Sequence, residues 1–194
     1  MTKGKFIAFE GPETTSLASY AKNLVEELSY RNISSTIFQE PSNGPIGLQL
    51  RVYEEQRVDF HPFPLSVLRL ADRLDQQNLK KDGIQALLEY GVSVIKIHYL
   101  LSAYSQFDEI VSIDWLKQIN KICFQPDIIV YVDLSEETSC FSEGGRNTQD
   151  KEKLKFILSS CEDCGKILFS VLNNSHWQFI KEQVLQILSE KNNG

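Results

Sequence analysis

Short apolar runs alternate along the chain with longer stretches in which apolar residues recur every three or four positions. A five- or six-residue apolar run suits a strand covered on both faces, and the helical period suits the helices that cover it. The pattern therefore predicts an α/β fold, a parallel five-stranded sheet with helices on both faces in three layers. Strands are expected at Phe6–Glu10, Ser35–Gln39, 92–97, 127–133 and Lys166–Val171. The clearest helices are Leu17–Tyr30, where Leu17, Ala21, Leu24, Val25 and Leu28 make one stripe, and 177–188, with Trp177, Ile180, Val184, Ile187 and Leu188. Segments 45–56, 64–79 and 151–160 complete the set. No repeat or linker divides the 194 residues, so one domain is expected over 1–194. Segment 142–147, Ser-Glu-Gly-Gly-Arg-Asn, follows the fourth strand on the side where open α/β sheets bind ligands.

The end of the first strand carries the frame of a phosphate-binding loop. Such a loop reads G-x-x-x-x-G-K-[ST] between a buried strand and a helix: backbone N–H groups cradle phosphates, the lysine reaches the β/γ-phosphates and the hydroxyl holds Mg²⁺. Gly11 takes the first position; in register, the second glycine is Ser16, the lysine is Leu17 and the Ser/Thr is Ala18. Leucine cannot stabilise charge on a transferring phosphoryl group, and alanine cannot ligate a metal. Thr14 and Ser16 also stand where glycines would let the backbone curl around phosphates.

Charge and cysteine content narrow the picture. A net charge of −6 with no Lys/Arg run excludes a broad nucleic-acid footprint, though not a local basic pocket. No apolar stretch approaches the ~20 residues needed to span a bilayer, and Phe6–Glu10 is too short for a signal peptide, so a cytoplasmic location and no membrane partner are expected. Four cysteines, Cys123, Cys140, Cys161 and Cys164, are few for a disulfide framework. Cys161 and Cys164 have CxxC spacing without a second pair or nearby histidines, so reduced thiols are expected rather than a zinc or redox site. Trp115 and Trp177 are expected to fill core or interface space, with no basic residues interleaved to make a base-stacking platform.

Beyond the loop, five segments fall in the order and spacing of one family. They are Phe6-Ile-Ala-Phe-Glu-Gly11; Glu40-Pro-Ser-Asn-Gly-Pro-Ile-Gly47 with Arg51; Ala71-Asp72-Arg73; Gly91-Val-Ser-Val-Ile-Lys-Ile-His-Tyr99 with Ser102; and Asp114-Trp-Leu116 leading to Gln125-Pro-Asp-Ile-Ile-Val-Tyr-Val-Asp133. Together they resemble the thymidylate kinases, especially those of archaeal type, over nearly the whole chain. The resemblance implies a P-loop nucleoside-monophosphate-kinase fold with a thymidine-monophosphate pocket, an ATP site and a lid at about 136–150. It places Arg51 and Arg73 where the family grips the monophosphate, through bidentate charge-assisted bonds. Tyr99 and Ser102 match residues lining that pocket, and Glu10, Gly11, Glu13 and Ser16 belong to the phosphate loop. Arg146 is the one arginine of the lid-like segment, where it would cover the transferred phosphate.

The departures from the family fall on catalytic positions. Besides Leu17 and Ala18, the family's Asp-Arg-Tyr reads Ile97-His98-Tyr99, and the aromatic ring that would stack on thymine reads Arg69. The leading expectation is a thymidylate-kinase-like protein with a degenerate phosphate loop, impaired or inactive in phosphoryl transfer, acting as a nucleotide-binding or scaffold pseudoenzyme. The alternative is a working dTMP kinase, needing ATP and Mg²⁺, in which Lys96, His98 or Arg146 replaces the lysine and Glu10, Glu13 or Asp133 holds the metal through water. Lys96 breaks an otherwise apolar strand, and either an edge position or snorkelling would explain it. Expected partners are a nucleoside monophosphate and a second copy or a paralogue, docked through 64–79 as the family resemblance implies.

Overall fold

The computed structural model describes residues 3–11, 17–56, 61–106, 108–133, 166–171 and 174–189. Five parallel strands form one sheet in the order β2-β3-β1-β4-β5: β1 Phe6–Glu10, β2 Ser35–Gln39, β3 Ser93–Ile97, β4 Ile128–Asp133 and β5 Lys166–Val171. Each expected strand is present to within one residue. The helices are α1 Leu17–Tyr30, α2 Pro45–Glu55, α3 Pro62–Asn78, α4 Ile84–Glu89, α5 Leu100–Tyr104, α6 Ile113–Asn120 and α7 Asn174–Ser189. Segment 151–160 and the lid-like 136–150 lie outside the described residues.

Strand alternation sends side chains to two separate cores. Ile7, Phe9, Ile95, Ile97, Ile128, Val130 and Val132 face α1 and α7, where Leu17, Ala21, Leu24, Leu28, Trp177, Ile180 and Val184 complete a buried cluster. Trp177 packs edge-on to Phe9 and Tyr20, with ring centroids 6.0 and 4.9 Å away, and donates from Nε1 to Asn23 Oδ1 at 2.9 Å. Phe6, Ala8, Val94, Ile129 and Tyr131 face the other way, onto residues of α4, α5 and α6, with Phe63, Leu70 and Leu74 of α3 against them. The helical stripes of α1 and α7 were legible because their buried residues are apolar. Helices α4, α5 and α6 were not anticipated: at six, five and eight residues they are too short to display a stripe. Of the three, α6 has a side-chain cap, Ser112 Oγ accepting from the Trp115 N–H at 3.2 Å, whereas α4 and α5 start at Gly83 and Tyr99 without one.

The β2–α2 connection is held by a close backbone approach. A Cβ at Gly47 would stand 2.2 Å from the Ser42 carbonyl oxygen and 2.4 Å from its nitrogen, whereas at Gly44 the nearest atom is the Ser42 Oγ at 3.2 Å. Gly47→Ala therefore forces backbone apart and is expected to lower stability by about 1–3 kcal/mol, the range for overpacking. Gly44→Ala should cost distinctly less. Urea melts of both variants check this, and equal losses would place the constraint elsewhere.

Candidate functional site

In this strand order the connections leave β1 and β3 in opposite directions, so their carboxyl ends flank the crevice where open α/β sheets take ligands. Glu10, the last residue of β1, shares the face of Phe6 and Ala8 and is buried. Its carboxylate gathers four donors from the segment after β3: the N–H of Tyr99 at 3.1 Å, of Leu101 at 2.9 Å and of Ser102 at 3.1 Å, and the Ser102 hydroxyl at 2.5 Å. His98 Nδ1 lies 3.0 Å from the same hydroxyl. With that hydroxyl donating to Glu10, the imidazole is the donor in this second bond. Burial pushes the Glu10 carboxyl above its usual range, against the Ser102 bond, the nearby His98 and the backbone donors. His98 reaches its place at φ 55°, and its N–H donates to the Phe9 carbonyl at 2.9 Å. Glu10 thus ties the end of β1 to the turn leaving β3.

A second cluster sits beside it, at the ends of β2 and β3, under α3. Arg73 makes a two-pronged contact to Glu40, Nε to Oε1 at 2.8 Å and Nη2 to Oε2 at 2.6 Å, while Nη1 donates to Asn120 Oδ1 at 2.5 Å. Its guanidinium carbon lies 5.6 Å from the centre of the Tyr99 ring, whose hydroxyl donates to the Phe124 carbonyl. Lys96 Nζ is 3.3 Å from Glu40 Oε1 and donates to Gln76 Oε1 at 2.8 Å. Gln76 donates to Asp72, which also accepts from the Ser42 N–H at 2.9 Å and hydroxyl at 2.5 Å. Neither an edge position nor snorkelling explains Lys96. Strand β3 is flanked by β2 and β1, and Lys96 is completely buried between Ala8 and Phe38, its partners across the sheet.

Two cations and two carboxylates therefore form one buried set with matched charge. Burial raises the Glu40 carboxyl, but Arg73 and Lys96 outweigh it and hold the group below the usual carboxylate range. Burial lowers Lys96, and the neighbouring Arg73 adds to this against the pull of Glu40. Arg73 goes upward despite burial, because Glu40 faces it.

The other expected site residues are dispersed around this pair of clusters. Arg51, on α2, donates from Nη2 to the Ser42 carbonyl and to Asn43 Oδ1. Arg69, on α3, pairs with Glu54 at 3.0 Å. Ser102 and Tyr99 meet Glu10, as given above. Gly11 follows β1, and Glu13, Ser16 and Arg146 lie outside the described residues, as does the side chain of Asp133. Leu17, in register with the loop lysine, is 2% exposed and packs with Ile7 and Phe9, while Ala18 is exposed. Glu40 and Gln76, central to the charged cluster, were not among the expected site residues. The available signal was the i, i+4 pair Asp72 and Gln76 beside a lysine in an apolar strand.

A family model described as thymidylate kinase matches residues 9–187. The chain belongs to the thymidylate kinase family. Among relatives, a thymidylate kinase of Leptospira borgpetersenii is 30% identical over 133 residues, covering 67% of this chain and 63% of that protein. One of Clostridium novyi is 28% identical over 161 residues, covering 79% and 77%. A probable thymidylate kinase of Methanococcus aeolicus is 30% identical over 154 residues, covering 79% and 74%. The chain thus spans under two thirds of the length of the Leptospira relative. Solved structures share the fold. The thymidylate kinase of Candida albicans superposes with a TM-score of 0.70 at 21% identity, over 95% of this chain and 91% of that one. That of Ehrlichia chaffeensis gives 0.70 at 16% identity, over 96% and 98%.

The resemblance implies ATP with Mg²⁺, and four of the residues considered for that group offer it nothing among the described residues. Leu17 and Ala18 supply neither charge nor metal-binding hydroxyl, both oxygens of Glu10 are taken by its four donors, and Lys96 is bound to Glu40 and Gln76. Among the described residues no three His, Cys, Asp or Glu side chains group to hold a metal ion.

Arg73→Met removes the two-pronged partner of a buried carboxylate and should cost about 3–5 kcal/mol at neutral pH, the range for breaking a buried pair. Glu40 has a folded pKa below its unfolded one, so its stabilisation is present above the ordinary carboxylate range and is lost as pH falls through the folded value. The gap between parent and Arg73→Met should accordingly narrow on acidification, measured by chemical melts from pH 7 down to about 3. A gap that stays constant with pH would detach it from the Glu40 charge.

Proposed function

We propose that this protein is a thymidylate-kinase-family member that has lost most or all phosphoryl transfer and serves as a nucleotide-binding or scaffold protein in nucleotide metabolism. The observation that carries the reading is Leu17. The residue in register with the phosphate-loop lysine has its side chain in the apolar core between β1 and α1. No cation is projected from that position, and Ala18 beside it lacks a hydroxyl for the metal. Retained binding of a small anionic ligand is supported by Arg51, which keeps the residue type that the family resemblance puts at the monophosphate and whose guanidinium bonds the Ser42 carbonyl and Asn43 Oδ1 rather than a carboxylate. Arg69, standing where the family has an aromatic ring, argues for weak selection of the base. A displaced cation would be needed for turnover, and Lys96 is committed elsewhere.

A coupled assay with dTMP, ATP and Mg²⁺ should show turnover at least about a thousandfold below an active family member, equivalent to ~4 kcal/mol of lost transition-state stabilisation. Turnover within tenfold of such an enzyme would overturn the reading.

Leu17→Lys with Ala18→Ser should not restore activity. It should also lower the melting temperature, because an ammonium at position 17 enters an apolar cluster without a partner. A pair of substitutions that raised turnover without loss of stability would show that position 17 faces the phosphates and not the core.

A further inference from the structure

The turn that leaves β3 holds an imidazole in a way that neither the charged cluster nor the phosphate loop accounts for. Through residues 93–101 every residue but His98 is buried, and His98 is half-buried. Its backbone sits at φ 55°, a strained region for a residue with a Cβ, and its N–H is fixed to the Phe9 carbonyl at 2.9 Å. Nδ1 donates to the Ser102 hydroxyl 3.0 Å away, and that hydroxyl donates to Glu10 at 2.5 Å. A neutral imidazole with its proton on Nδ1 has its lone pair on Nε2, and among the described residues nothing bonds Nε2. Carboxylate, hydroxyl and imidazole thus follow one another, fixing tautomer and ring orientation as a carboxylate does for the histidine of a catalytic triad. His61 is held the other way round: its Nδ1 accepts from the Phe63 N–H, so in the neutral ring Nε2 carries the proton.

We propose that His98 is a phosphoryl acceptor: its Nε2 attacks the phosphorus of a small acyl phosphate, with Ser102 and Glu10 as positioning residues. The N–P bond forms as the P–O bond to the acyl group breaks, and the carboxylate leaves with the electron pair. The ring gains positive charge. Its Nδ1 proton passes to Ser102 Oγ while the Ser102 hydroxyl proton passes to Glu10, which leaves a neutral carboxyl and a phosphorylated, neutral ring. Glu10 suits the end of this relay, because burial already pushes its carboxyl above the usual range. An acyl phosphate is the fitting donor, since its carboxylate departs without needing a proton and the one proton on the ring is directed away, at Ser102. The step uses neither a cation at position 17 nor a hydroxyl at position 18, and it goes beyond the nucleotide-binding or scaffold reading by giving the chain covalent chemistry of its own.

The test incubates the full chain with acetyl phosphate at about pH 8, where an ordinary imidazole is neutral, and follows acid-labile phosphate at His61, His98 and His176 by peptide mass spectrometry. His98 should be phosphorylated at least about tenfold faster than His61 and His176, although both of those are exposed. Ser102→Ala should lower the His98 rate at least about tenfold, and Ser102→Thr, which keeps a hydroxyl, should retain it. Ser105→Ala, which removes only a bond to the Ser102 carbonyl, should leave the rate unchanged. Exposure alone gives the reverse order, so phosphate appearing first on His61 or His176, or none on His98, overturns the proposal. An unchanged rate in Ser102→Ala does so as well. If circular dichroism shows that Ser102→Ala does not fold, the ring tautomer of the parent decides. Nitrogen NMR of the histidine rings should show His98 in the Nδ1–H form with Nε2 bare, and an Nε2–H form overturns the proposal. Turnover of dTMP with ATP in the coupled assay would instead count against the lost-catalysis reading and leave the His98 result standing, so the two failures are separable.

Discussion

The structure depends on the mutual neutralisation of four ionised side chains under α3. Glu40 follows β2, Asp72 and Arg73 lie on α3 and Lys96 on β3, and none could be buried alone without a cost of several kcal/mol. Together with Gln76, Asn120 and Ser42 they answer one another's hydrogen-bonding capacity. The geometry of this edge follows from that requirement. α3 must lie where Arg73 reaches Glu40 with both prongs, and the β2–α2 connection must present the Ser42 N–H to Asp72. Buried ionic networks of this kind add little net stability compared with apolar packing, but they tolerate few alternative arrangements of the elements that contribute to them.

Glu10 imposes a smaller constraint of the same sort. It is a single carboxylate without a directly bonded cation, stabilised by three backbone N–H groups and one hydroxyl from residues 99–102. The two clusters share Tyr99: its backbone N–H serves Glu10, and its ring lies beside the Arg73 guanidinium. The carboxyl ends of β1, β2 and β3 are thereby linked through polar contacts, with the apolar cores beginning immediately below.

The sheet was legible in the sequence because each strand carries a short apolar run, longest in β1 and β4, and α1 and α7 were legible because their stripes are continuous. The charged cluster was far harder to read. Asp72, Arg73, Gln76 and Gln77 are all buried residues of α3, yet by type each would be assigned to the solvated side of a helix, and only their partners on other elements explain their burial. Lys96 was visible as an anomaly, since a lysine interrupts the run Val94, Ile95 and Ile97 of β3. Its explanation lies 56 residues earlier at Glu40 and 20 residues earlier at Gln76, separations at which pattern carries no information about contact. The loop was legible as a motif, and the structure adds what the motif could not give, the direction of the Leu17 side chain.

That direction has a consequence for substitution at this position. A solvent-facing residue can be exchanged alone, because nothing else depends on its shape. Leu17 instead shares a buried cluster with Ile7, Phe9 and Ala21. Close-packed interiors tolerate few changes of shape and charge, so a lysine here needs neighbours that move to let a charged stem turn outward. Position 17 is therefore coupled to its surroundings: its side chain can be changed in kind only together with the packing between β1 and α1.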